Sequence, residues 1–158
     1  FACTAVDLWT GAEVILKDGS IRKAVSASCA IPGVLAPISF NGSELVDGGV
    51  VDCVPIQPAF KMGAHLVIGV DVAHDIEDLQ VDTALDIAFR ANDISRMTLR
   101  KLQLKEANVV IRPEVNDILW SDFSRMDECV NRGMEATRMK ILEIKRLIRK
   151  KKIKRFFR

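Results

Sequence analysis

Apolar and polar positions change their period several times along this chain, and each change marks an element. Residues 2–9 and 12–17 read as two short strands on either side of "TG", a hairpin-like turn. "DGS" at 18–20 is a second turn, and the hydroxyl of Ser20 suits the N-cap of a helix from Ile21 to about Ala30. That helix ends at "IPG", because proline cannot continue it and Gly33 tolerates dihedrals that other residues avoid. Strands are expected again at 35–40 and 44–47, around the turn "NGS". Pro55 and Pro58 flank the start of a short helix that reaches "KMGA", where Gly63 fits the C′ position.

The second half is patterned differently. "HLVIGVDV" at 65–72 is nearly continuous apolar sequence, which is how a parallel strand covered on both faces reads. From Thr83 to about Lys105, Ala84, Ile87, Ala88, Ala91 and Ile94 recur with the period of a helix that buries one face. "NVVIR" at 108–112 is another buried strand, stopped by Pro113. Strand, long helix and strand make a βαβ unit, so the expected fold class is α/β, with a largely parallel sheet sandwiched by helices. Residues 114–126 lack a period, with Asp122 or Ser124 available to cap a last helix. That helix starts near Met126 and carries Met134, Ile141, Ile144 and Ile148 on one face.

At 158 residues, 49% of them hydrophobic and 28% charged, the chain has the length and composition of one soluble globular domain with a real core. No apolar run approaches the roughly 20 residues that span a bilayer, and "FACTAVDLWTG" is not patterned as a signal peptide. Cys3, Cys29, Cys53 and Cys129 form no CxxC, and with two histidines they offer no metal site. Buried thiols in a reducing, cytoplasmic compartment are the expected reading. The net charge of +2 conceals an asymmetry: residues 140–158 hold ten Lys or Arg against Glu143 alone, while the rest of the chain is acidic.

Chemistry concentrates at "ELVDGGVVDCVP", residues 44–55. Asp47 falls at the end of a strand, where sites form in open α/β sheets, and a carboxylate there can accept a proton from a neighbouring hydroxyl. Gly48 and Gly49 let the backbone turn sharply and keep side chains out of a substrate's path. Asp-Gly is also ordinary turn chemistry, so this stretch alone does not distinguish a turn from a site.

The surrounding segment, residues 24–72, resembles the second half of bacterial patatin-like phospholipases. The resemblance lies in "ASCAIPG", "LVDGG", the proline that follows, and "GAHLVIGVDV", with "ACTAVDLWTG" similar to an opening strand of that family. It covers roughly residues 2–73. The resemblance implies a three-layer α/β/α domain, no cofactor and no metal, and a Ser–Asp dyad that cleaves lipid esters (phospholipid or acylglycerol). In such a dyad the serine of G-x-S-x-G attacks the ester carbonyl and the Asp of D-G-G is the base. Asp47 matches that Asp, and Gly48 and Gly49 match its turn. No G-x-S-x-G occurs in the chain, so the nucleophile is expected upstream of Phe1, in a missing N-terminal half or on a partner chain. On this reading residues 1–139 are the C-terminal portion of the domain and 140–158 a basic helical tail. The chain by itself is then expected to be inactive.

Other residues offer competing readings. His74, just past a buried strand, would complete a Ser–His–Asp arrangement with Asp47, but a polar loop residue describes it better. Asp52 stands near Asp47 and is expected to be solvated or locally hydrogen-bonded rather than paired with it. The tail, with Lys150, Lys151, Lys152, Lys154 and Arg155, is a solvated helix end, a peripheral attachment to anionic membrane aided by Ile153, Phe156 and Phe157, or a nonspecific nucleic-acid contact. The resemblance to enzymes that act on lipids favours membrane over nucleic acid. The alternative to an enzyme is a noncatalytic patatin-fold module that binds a partner chain or a membrane through this tail.

Overall fold

A computed structural model describes residues 1–73, 82–119 and 121–156, residues 151–156 by backbone alone. Two hairpins make up a four-stranded sheet. In the first, β1 (Cys3–Asp7) pairs antiparallel with β2 (Glu13–Leu16). In the second, β3 (Ile38–Phe40) pairs antiparallel with β4 (Ser43–Asp47) through a turn in which Asn41 and Gly42 both have positive φ, the turn that "NGS" predicts. β1 also pairs antiparallel with β4, giving the order β2-β1-β4-β3. Asp7 fixes the first hairpin, because its Oδ1 accepts the N–H groups of Trp9 (3.0 Å) and Thr10 (2.9 Å).

Helix α1 (Ile21–Ser28) is capped by Ser20, as expected, and lies on this sheet. Ala24 and Ala27 are its buried residues, and their small size lets the helix settle against Ala5, Leu16 and Leu45. Leu45 is 1% exposed, and its burial contributes about 2 kcal/mol by transfer free energy.

After a 3₁₀ turn (Gly48–Val50) come α2 (Ile56–Lys61), β5 (Ile68–Val70), α3 (Ala84–Leu104) and β6 (Val109–Ile111). β5 and β6 pair in parallel, which is the βαβ unit expected from the apolar runs. The fold is α/β, with its parallel pairing in β5–β6 and its other pairings antiparallel among the described residues. Thr83 caps α3 through a capping box with Asp86. Val54, Ile56, Val67 and Leu104 form the core between α2, α3 and β5.

Two expected faces are corrected. The apolar stripe of α3 is not its buried face: Ile87 and Ile94 are exposed, and the buried residues are Arg100 and Leu104. Only the last turns of α3 lie against the β5–β6 pair, while in its N-terminal turns the Phe89 ring approaches Gly33 and Leu85, Ile87 and Ile94 stay exposed. In β5 the neighbours of buried Gly69 are similarly open, with Ile68 and Val70 exposed, so one face of this strand is uncovered.

The last helix, α4 (Met126–Phe156), follows a 3₁₀ turn (Phe123–Arg125) capped by Asp122 and continues unbroken through residue 140. Ala136, Ile144 and Leu147 pack on Val109 and Ile111, so Ile144 is buried as expected, but Met134, Ile141 and Ile148 are exposed and the buried face is rotated from the rest of the expected one. Its base is fastened by Arg125 and Arg132, which bridge Asp117 and Glu128 and hold the Asp117 carboxyl well below its usual range. The cysteines are also less buried than expected. Cys3, Cys53 and Cys129 are half-buried, and Cys29 is exposed because it terminates α1.

Candidate active site

Asp47 ends β4 and caps the 3₁₀ turn that follows. Its Oδ1 accepts the N–H of Gly49 at 2.7 Å, which holds the carboxylate at the mouth of the turn. The side chain is half-buried, and no other hydrogen bond to the carboxylate is made among the described residues, so Oδ2 remains a free acceptor. The Asp47 backbone N–H donates to the carbonyl of Ala30 at 3.0 Å. That bond ties the turn to the residue just past α1, in the segment "ASCAIPG".

The glycines serve close approach rather than unusual dihedrals, since neither Gly48 nor Gly49 has positive φ. A methyl group on Gly48 would lie 2.5 Å from Thr4 Oγ1 and 2.6 Å from the Thr4 carbonyl oxygen. Gly48 therefore lets the turn sit directly on β1. A methyl on Gly49 would lie 2.8 Å from Arg96 Nη2 and 3.1 Å from Asp47 Oδ1. The expected sharp reversal is a 3₁₀ turn, with the N–H groups of Val51 (3.1 Å) and Asp52 (2.9 Å) bonded back to Gly48.

Helix α3 secures the chain after the turn. Gln103 accepts the N–H of Cys53 at 3.0 Å through Oε1 and donates through Nε2 to the Val51 carbonyl at 3.0 Å. The Cys53 thiol lies within reach of the carbonyls of Gly49 (3.4 Å) and Arg96 (3.6 Å). These contacts satisfy backbone groups that a loop would otherwise bury unpaired. Segments from four places in the sequence thus converge on Asp47: β1, the end of α1, the stretch after the turn, and the polar face of α3.

The chain is similar to known proteins over the same segments. Residues 4–60 match the profile of the family described as patatin-like phospholipase. Over these residues the chain is similar to the patatin-like phospholipase family. A lysophospholipase NTE1 of Debaryomyces hansenii is 26% identical over 161 residues, covering 85% of this chain and 10% of that protein. The lysophospholipase NTE1 of Candida albicans is 24% identical over 162 residues, covering 85% of this chain and 12% of that protein. An uncharacterised NTE-family protein of Mycobacterium tuberculosis H37Rv is 39% identical over 72 residues, 46% of this chain and 20% of its own length. This chain therefore spans between a tenth and a fifth of the length of these relatives.

Within this patatin-like segment, three site neighbours escape sequence reading. Asp52 is not solvated but buried, and its partner is Glu13 of β2 rather than Asp47. Burial, then the hydrogen bond and the charge of Glu13, push the Asp52 carboxyl up to about 7. Asp52 Oδ1 and Glu13 Oε1 have no donor, and one shared proton would satisfy both. They line an open pocket of about 330 Å³ with Ile56, Gln57, Gln103 and Glu106. The second missed group is the guanidinium of Arg96 over Gly49.

The third is Asp71, whose setting the sequence leaves open. It is buried against Arg100 (3.5 Å) and paired with Arg112 through Nε (2.9 Å) and Nη2 (2.8 Å), locking β5, α3 and β6 together. The only sequence signal was spacing: Arg96, Arg100 and Gln103 share one face of α3 at i, i+4 and i+7. His74 lies outside the described residues. Among the described residues, no cluster of three or more His, Cys, Asp or Glu suits a metal ion, and no helix is long and apolar enough to cross a membrane.

Proposed function

We propose that this chain supplies the base of a serine–aspartate dyad that hydrolyses lipid esters, with Asp47 as that base. The observation that carries the proposal is the Asp47 carboxylate itself. One oxygen is fixed by Gly49 N–H and the other is free, at a strand end where β1, the end of α1 and α3 come together. In the proposed reaction a serine hydroxyl attacks the ester carbonyl as its proton passes to Asp47 Oδ2. The proton then goes to the leaving alcohol, and an acyl-serine remains. Water attacks that acyl group as Asp47 takes one of its protons, and Asp47 then passes that proton to the departing serine oxygen, releasing the fatty acid and restoring both groups.

The 158 residues contain no G-x-S-x-G, so the serine and its oxyanion-binding loop are proposed to lie on a segment outside them. The exposed faces support such a segment. Ile68, Val70 and Val72 around β5, and Leu85, Ile87 and Ile94 on α3, present apolar surface of the kind that a further layer of the domain would cover. The names of the NTE1 relatives favour lysophospholipids among lipid esters. The basic end of α4, including Lys150, Lys151, Lys152, Lys154 and Arg155, is proposed to hold the protein on anionic membrane near such substrates. The experiment is turnover of a fatty-acyl ester by the complete protein and by Asp47→Ala. Loss of turnover supports the proposal, and near-normal turnover ends it.

A further inference from the structure

We propose that Arg96 receives the phosphate of a lysophospholipid substrate and so sets a preference for phosphorylated over neutral glycerol esters. This rests on the reading of Asp47 as the base. Arg96 stands on α3 with its guanidinium folded over Gly49. The two distances from the Gly49 methyl position bound the gap between Arg96 Nη2 and Asp47 Oδ1 at about 6 Å. The two groups make no ion pair with each other. A cation is thus held one glycine away from the base and is not spent on neutralising it.

The placement of Arg96 is fixed by its neighbours. Its own carbonyl is in reach of the Cys53 thiol. One turn on, Arg100 is held by buried Asp71, and Gln103 binds the backbone of Val51 and Cys53. The side chain is half-buried, so a bound anion there is partly shielded from water and counterions.

The chemistry of the ligand follows from that upper limit. In a lysophospholipid the ester carbonyl and the phosphorus are six bonds apart, which reaches about 7 Å when extended and about 6 Å or less when folded, at ordinary bond lengths. An ester placed beside Asp47 can therefore set its phosphate at Arg96, whose planar fork matches two phosphate oxygens. A monoacylglycerol has no group to fill that place. Gly49 is part of this arrangement, since any side chain there would push the guanidinium away.

The test compares the complete protein with Arg96→Gln and Arg96→Lys on two substrates of equal acyl chain, a lysophosphatidylcholine and a monoacylglycerol. The expected result is a fall of about tenfold in the ratio of kcat/KM for the phospholipid to that for the neutral ester in Arg96→Gln. Arg96→Lys should recover part of it, because a point charge replaces a fork. An unchanged ratio, whether both substrates suffer equally or neither does, overturns the proposal. A second measurement separates it from the dyad. In an Asp47→Asn background, glycerophosphocholine and inorganic phosphate are titrated with and without Arg96→Gln. Glycerophosphocholine binding weakened about tenfold by the loss of Arg96 supports this site even if the protein hydrolyses neither ester. Glycerophosphocholine binding that is indifferent to Arg96 contradicts it even if the dyad stands. Equal Arg96-dependent affinity for inorganic phosphate would show a free-phosphate site and overturn the lipid assignment.

Discussion

Gly48→Ala is the substitution whose consequence the structure specifies most closely. The added Cβ would stand 2.5 Å from Thr4 Oγ1 and 2.6 and 2.8 Å from the oxygen and carbon of the Thr4 carbonyl. A hydroxyl can rotate away, but a carbonyl cannot. Thr4 belongs to β1, which is paired on one side with β2 and on the other with β4. Relief therefore requires either the central strand or the turn bearing Asp47 to move. Overpacking of this kind costs about 1–3 kcal/mol, and contact with paired backbone puts Gly48→Ala at the upper end. For a domain of this size that is a fall of roughly 6–12 °C in Tm.

Gly49→Ala is the control. Its Cβ would meet the tip of the flexible Arg96 side chain, at 2.8 Å, and Asp47 Oδ1, at 3.1 Å. Arg96 can swing out, so the cost should stay below about 1 kcal/mol. Thermal unfolding of both variants of the complete protein, followed by circular dichroism, makes the comparison. A Gly48→Ala protein as stable as the parent would show that β1 and the turn can separate at no cost, and an equal loss in Gly49→Ala would show that contact with Thr4 is not what matters.

Two further expectations concern charge. The Asp52 carboxyl titrates near 4 in the unfolded chain and near 7 in the fold. Between those values the folded state holds a proton that the unfolded state has lost, so this group's contribution to stability falls as pH rises from about 4 through about 7. The loss is on the order of 3–4 kcal/mol at most. Asp52→Asn keeps the shape without the charge. Facing Glu13 on β2, with Lys61 on α2 pairing Glu13 at 3.7 Å, it should have a higher Tm than the parent at pH 8 and little or no advantage at pH 5. A lower Tm at pH 8 would contradict the shared-proton account. For the tail, removing residues 149–158 should weaken binding to vesicles containing anionic lipid, most clearly at low salt. Unchanged binding would leave it a solvated helix end.

Local chemistry was the legible part of this fold. The cap at Ser20, the Asn41–Gly42 turn and the start of α4 near Met126 each depend on neighbours within four residues. The βαβ unit was legible for the same reason, since two apolar runs flank one long helical period. What failed was the assignment of faces. The apolar stripe of α3 shows which residues avoid water, but not what covers them, and among the described residues the face that packs carries Arg100, Gln103 and Leu104 instead.

Arg100 is buried because Asp71 waits for it, and Gln103 is half-buried because the turn after Asp47 has backbone groups to satisfy. Such pairings join residues some 30 to 50 positions apart, where no period carries information. Glu13 and Asp52 are a similar case, with one on β2 and the other past the turn. The position of Asp47 at the end of a strand was legible, as was the turn after it. In isolation D-G-G is a turn, and the structure gives its glycines a steric reason, contact with Thr4 and Arg96, that the motif alone could not supply.

The most direct test of the central claim is kcat for Asp47→Asn in the complete protein on a fatty-acyl ester, with Tm measured alongside. The amide keeps the size of the side chain and an oxygen for the Gly49 N–H, but it cannot take up a proton. The account expects an unchanged fold and a fall in kcat of at least about 100-fold. A folded Asp47→Asn protein that retains kcat within a few-fold of the parent would contradict it.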